Sequence, residues 1–223
     1  LKYLHVNAVS LANNHTANQG KAGLATTRDL LQKADLKSIG GPGDNDVAQV
    51  QIFQGEKLKL AVIGVHTLAN VPDLASQITK LKEDKDTRVI VFPHWGAEYV
   101  YKHSAGQAKQ AHAWIDAGAD IVIGAHPHVI EDAEVYNGKP IFYSLGNLLF
   151  DQSFSKETQQ GLILSGKFTV KGLTVFGLPV QSTKYKPALM RGDAKQQILA
   201  RLYEPFADQK QSTPAGDVLF FPK

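Results

Sequence analysis

The chain has 223 residues, 43% hydrophobic and 20% charged, enough for one sizeable core and ordinary for a soluble globular protein. Its net charge of +3 comes from scattered lysines and arginines, too weak and dispersed a signal for nucleic acid as the main partner. The absence of cysteine excludes disulfides, thiolate metal ligands and thiol catalysis, and no run approaches the roughly 18 apolar residues of a membrane span.

The chain opens on Leu1 without an initiator methionine and without a charged region leading into an apolar one, so no signal peptide is visible. Residues 4–11 already read as the approach to an interior strand, so the sequence is expected to be a fragment lacking its N-terminal portion. A short strand over 9–12 breaks at Asn13-Asn14-His15. A helix follows near 21–33, with Leu24, Thr27, Leu30 and Leu31 at helical spacing. Gly40-Gly41-Pro42-Gly43-Asp44-Asn45-Asp46 is a loop, and its two carboxylates fall short of a calcium-binding pattern. Residues 49–53 and 58–65 read as a hairpin turning at Gly55. Asp73 is expected to cap a helix carrying Leu74, Ile78 and Leu81.

The almost wholly apolar strand 88–92 should be buried on both faces. A helix near 106–117, with Ala108, Ala111, Trp114 and Ile115 inward, leads to a strand over 120–124. A second hairpin, 133–136 with 140–144, turns at Asn137-Gly138-Lys139. Beyond Asp151 the pattern changes to antiparallel strands over 161–170 and 173–181, a helix over 194–203 and a last strand over 218–221. Strands alternating with helices and then hairpins describe a layered α/β sandwich. A single domain over 1–223 is expected, β-rich from about residue 152.

Three histidine motifs stand where strands run out: Asn13-Asn14-His15, His94-Trp95-Gly96 and His126-Pro127-His128. Ligands of open α/β sheets gather outside the carboxyl ends of strands, so the three can converge. Imidazoles and an amide oxygen suit a transition-metal site. In His126-Pro127-His128, residues two apart in extended chain face one side, and the proline restricts the backbone before it. The bland alternative is a polar loop whose histidines only hydrogen-bond; for Asn13-Asn14 it is a turn or helix cap. Glu98, four residues past His94, is a candidate for contact with substrate or with the ligands. Asp151 is another, with turn formation as its alternative. His5, His66, His103 and His112 have no partner motif and are read as structural or solvent-facing. No Gly-rich phosphate loop, Gly-x-Ser-x-Gly elbow or His-Glu-x-x-His helix is present.

Four segments in order carry a resemblance: Ser10-Leu11-Ala12-Asn13-Asn14-His15, His94-Trp95-Gly96-Ala97-Glu98-Tyr99, Gly124-Ala125-His126-Pro127-His128-Val129 and Ser144-Leu145-Gly146-Asn147. Together they resemble the bacterial capsule-synthesis CapA family, associated with poly-γ-glutamate. That family is similar to the calcineurin-like metallophosphoesterases. The resemblance implies a four-layer α/β/β/α sandwich of metallophosphatase type with a two-metal centre. Asn14, His94 and His126 would bind one metal, His128 the other, and His15 would protonate the leaving group. Asn13, Glu98 and Asp151 would touch substrate or support the ligands. The family's acidic N-terminal motifs are absent here, and Asn18 stands where the family often has aspartate. Two divalent ions (manganese, zinc or iron) are therefore expected in the full-length protein, and none or one weakly held in this fragment. The implied function is synthesis or export of capsular poly-γ-glutamate in the cell envelope, extracytoplasmic and membrane-associated. The chain would act as a metal-dependent hydrolase of a phosphoester or γ-glutamyl amide, or as a non-catalytic subunit of a membrane capsule synthase complex, either holding the anionic polymer or purely structural.

Overall fold

A computed structural model describes residues 1–42, 50–68 and 73–223, so the acidic pair Asp44 and Asp46 lies outside the described residues. The first strand, β1 (Ala8–Ser10), runs through α1 (Gly20–Lys33) into β2 (Lys37–Ile39), and the two strands pair in parallel. The helix was legible from its spacing, but that spacing marks no buried face. No residue of α1 is buried, and Leu30 is 59% exposed. Its main neighbour is β2, three residues long and too short to cover a helical face.

The largest sheet has six strands. β3 (Val50–Gln54) and β4 (Lys59–His66) form the expected hairpin. After α2 (Leu74–Lys82) comes β5 (Thr87–His94), and after α3 (Ala105–Asp116) comes β6 (Ile121–Ile123). The hairpin of β7 (Ala133–Tyr136) and β8 (Lys139–Phe142) completes the order β3-β4-β5-β6-β8-β7, in which β4, β5, β6 and β8 are parallel. Local chemistry sets these elements. Asp73 Oδ1 accepts from the amides of Ala75 and Ser76, Ser104 and Gln107 form a capping box on α3, and Asn137 and Gly138 turn with φ of 47° and 71°. Leu74, Ile78, Ala111, Trp114 and Ile115 pack from the two helices onto Ala61, Ile63, Val89, Val91 and Val122.

The other face of this sheet meets a second, antiparallel one. Here β9 (Gln160–Thr169) lies along one side of β10 (Gly172–Thr183). On the other side of β10, β11 (Lys186–Leu189) pairs with one end and β13 (Gly216–Pro222) with the other, and β12 (Lys210–Thr213) pairs with β13. Ile198, Leu202 and Tyr203 of α4 (Gly192–Tyr203) join Phe142, Leu173, Val175, Phe206 and Leu219 in the core between these layers.

The carboxyl ends of β5 and β6 are clamped together. His94 bridges to Ala125, the Trp95 amide donates to Ala125 O at 3.0 Å, and the Ala125 amide donates to Pro93 O at 2.9 Å. Beneath them, the buried Trp95 indole donates from Nε1 to Tyr143 O at 2.8 Å. Gly124 makes this contact possible, because a Cβ there would lie 2.0 Å from Tyr143 O and 2.4 Å from the indole nitrogen.

Candidate metal centre

His94 is the last residue of β5, and its register partner on β4 is His66, so the two imidazoles stand side by side with centroids 5.8 Å apart. His126 approaches from the loop after β6, its ring 4.6 Å from that of His94. His128 follows at 5.9 Å from His126. Both residues of this loop have left-handed backbone, φ 106° at His126 and 60° at His128, which replaces the extended geometry expected from Pro127. Non-glycine residues held there are strained, a condition common at functional sites. From the turn after β1, Asn14 places Oδ1 3.0 Å from His94 Nε2.

Two of the rings have a defined lone pair. Asn147 Nδ2 donates to Thr158 O at 2.9 Å and to Gln152 Oε1 at 3.2 Å, which turns its Oδ1 toward His128 Nδ1 at 3.0 Å. His128 therefore donates from Nδ1 and carries its lone pair on Nε2, which faces Glu98 Oε1 at 4.0 Å. His66 likewise donates from Nδ1 to Pro42 O at 3.1 Å, and its buried Nε2 has no partner among the described residues. The Nδ1 of His126 is also buried without a partner among them.

Burial first, then repulsion from His126, His66, His128 and His15, pushes the His94 pKa down to about 3. Burial also lowers that of His126, against the opposing pull of Glu98. Both rings are neutral near pH 7 and can offer lone pairs without losing a proton. Among the described residues, donor atoms of Glu98, His126 and His128 all lie within 4.8 Å of one another. Neutral imidazoles, orphaned buried nitrogens, an amide oxygen and a carboxylate fit a divalent cation.

His15 is exposed, and Asn18 Nδ2 donates to its Nδ1 at 3.1 Å, which leaves its proton on Nε2. Asn13 Oδ1 accepts from the His15 amide at 2.9 Å, so this side chain shapes the turn. Asp151 is exposed, with no hydrogen bond or ion pair to the imidazoles among the described residues. Phe150, just before it, does reach the cluster, 5.0 Å from the His128 ring. His103 and His112 pair with Asp132 and Glu134, as a structural reading requires. His66 is the residue that the sequence undervalued. The available signal was its place at the end of an apolar strand, the same place that His94 holds.

Two stacked sheets with helices packed on them and imidazoles gathered at parallel strand ends make this a layered α/β sandwich. Residues 1–152 match the family described as bacterial capsule synthesis protein PGA_cap, and the chain belongs to that family. It is 31% identical over 227 residues to the PGA biosynthesis protein CapA of Bacillus subtilis (strain 168), covering 90% of this chain and 58% of that protein. It is 35% identical over 175 residues to the capsule biosynthesis protein CapA of Bacillus anthracis, covering 70% of this chain and 43% of that protein. The chain thus spans about half the length of the curated relatives it matches. A hypothetical protein from Thermus thermophilus shares the fold at a TM-score of 0.51 and 17% identity, over 84% of this chain and 75% of that one.

Proposed function

We propose that the protein is a metal-dependent hydrolase acting in capsular poly-γ-glutamate synthesis or export, on a phosphoester or a γ-glutamyl amide bond. The observation that carries this reading is the convergence of Asn14, His94, His126 and His128, with His15 beside them and its proton on Nε2. A bound manganese, zinc or iron ion would supply Lewis acidity toward a phosphoryl or carbonyl oxygen and toward water. The chain's own part is to keep its imidazoles neutral as donors and to present the His15 Nε2 proton to a leaving group. Two relatives are described as a PGA biosynthesis protein and a capsule biosynthesis protein, which favours a capsular polymer, here read as poly-γ-glutamate, as the substrate or the cargo. The site of action would be the bacterial cell envelope, next to membrane synthase subunits. Among the described residues no helix is long and apolar enough to cross a membrane.

The test is an assay of manganese-loaded protein on aryl phosphodiesters and γ-glutamyl oligomers in parallel. Turnover of either class supports the hydrolase and selects its bond. If neither turns over while poly-γ-glutamate binds in a metal-dependent way, the protein holds the polymer instead.

A further inference from the structure

The lysines and arginines that look scattered in the sequence gather at one end of the six-stranded sheet. It is the end where β4 and β5 begin, opposite the histidines. A cleft of about 740 Å³ opens there between the β3-β4 hairpin and the end of β9, lined by Lys57, Lys59, Arg88 and Lys167. A second, of about 500 Å³, lies beyond the ends of α2 and α3. Arg88 lines this one too, with Lys82, Lys85, Lys139 and Lys223. Together the clefts carry eight basic side chains against three acidic ones, an excess above the +3 of the whole chain.

Arg88 is where the two clefts meet. With Ile90 it faces the second sheet, while Val89 and Val91 face the helices. Only 4% of it is exposed, yet it has no carboxylate partner among the described residues. Its Nη1 donates to the carbonyls of Lys85 and Thr87 at 2.9 and 3.2 Å, which satisfies donors and leaves the charge unmatched. A buried cation is ordinarily paired with an anion. Asp120, on the rim of the second cleft, is engaged elsewhere. Its Oδ2 accepts from Lys82 at 2.9 Å and from the Val89 amide at 2.8 Å, and its Oδ1 lies 3.8 Å from Lys139. Lys57, Lys85 and Lys167 are exposed and make no ion pair among the described residues.

We propose that this basic groove binds a polycarboxylate chain, holding a stretch of poly-γ-glutamate away from the histidine centre. The choice of polymer rests on the proposed function, whereas the unmatched charge stands on its own. The shape favours a chain over a bilayer. A flat surface of lipid headgroups would meet the exposed lysines without reaching Arg88, whereas a chain can enter the clefts. Phe53, Leu58 and Phe168 also line the first cleft, apolar surface that suits the methylene groups between carboxylates. Along β5, six residues separate Arg88 from His94, about 20 Å at the rise of an extended strand. One long polymer can therefore occupy both places, and a glutamate dimer cannot.

Anisotropy of fluorescently labelled poly-γ-glutamate titrated with the full chain, with EDTA present, separates the groove from the histidines. The polymer should bind without metal, and raising NaCl from about 50 to about 300 mM should weaken Kd roughly tenfold. Lys57 and Lys167 are exposed, so reversing their charge leaves the core intact. Lys57→Glu combined with Lys167→Glu should weaken binding at least about tenfold at low salt, and Arg88→Met should weaken it as well. Wild-type affinity in the double variant overturns the proposal. So does binding that requires the metal, which would place the polymer at the histidines alone. Phosphatidylglycerol vesicles that bind through the same lysines while the polymer does not would overturn it in favour of a membrane surface. The hydrolase reading fails separately. Binding through the lysines without turnover of phosphodiester or γ-glutamyl bonds keeps the groove and removes the hydrolase, and turnover without metal-free polymer binding does the reverse.

Discussion

Burial and four neighbouring imidazoles hold His94 neutral, whereas His15 stands exposed with its Nδ1 accepting from Asn18. The two should fail differently. His15→Ala should lower turnover by roughly 10²–10⁴-fold while metal content stays near wild type, because only a proton donor is lost. His126→Ala should lose metal and turnover together; paired kinetics and metal analysis separate the two. Glu131 offers a titration outside the centre. It is 1% exposed, its Oε2 accepts from Gln107 at 3.0 Å, its Oε1 has no partner among the described residues, and burial pushes its pKa up to about 7. The folded state therefore holds a proton that the unfolded chain has released between about pH 4.5 and pH 7. Its contribution is present at low pH and is lost as pH rises through 7, on the order of 3 kcal/mol at most. Melting curves from pH 5 to 8 should fall for wild type and flatten for Glu131→Gln; parallel curves would sink this assignment. Most of the cluster was legible at this scale because its histidines lie in short motifs at strand ends. His66 and the orienting amide of Asn147 were not, since their roles come from register and from contacts distant in sequence.

The elements written in local chemistry were the readable ones. Asp73 capping α2 and the Asn137-Gly138 turn each act within four residues. The strands β2, β11 and β12 went unseen because short polar segments such as Lys-Gln-Ser-Thr become strands only through their partners. The exposed face of α1 shows the converse, since a helical period establishes a helix and says nothing of what covers it. At the junction of β5 and β6, Gly124→Ala should be costly. Its Cβ would meet a carbonyl that already accepts from the Trp95 indole, so two strand ends must separate. Denaturant unfolding should show a loss of about 3 kcal/mol, and metal affinity should drop because His94 and His126 ride on those ends. Wild-type stability and affinity in Gly124→Ala would show that the junction yields more easily than its contacts suggest.

At the scale of the whole molecule, one six-stranded sheet separates two apolar cores, with α2 and α3 on one side and the second sheet and α4 on the other. Residues that would hold an ion come from β1, β5, β6 and the loops after them, so binding ties together segments far apart in sequence. A ligand bound only by the folded state stabilises it by about 2.7 kcal/mol at a hundredfold excess over Kd. Manganese or zinc should therefore raise the melting temperature by several degrees, and a chelator should reverse the shift. A melting temperature indifferent to both would argue that the imidazoles bind no ion. The overall class was legible from the alternation of strands and helices. The contact between the sheets came only from the family resemblance, because the alternation by itself does not say which face of each strand meets the other.

The left-handed backbone of the His126-Pro127-His128 loop has a consequence for repair by a small molecule. Alanine at either histidine would keep the backbone strain while removing the ring, whereas glycine accepts positive φ without penalty. His128→Gly should therefore leave a relaxed loop with an imidazole-shaped vacancy beside the Asn147 carbonyl. Free imidazole in the buffer should enter that vacancy and restore metal affinity in a saturable way. His128→Ala, with its loop still under tension, should respond less. The chain would then accept one of its own ligands as a diffusible component.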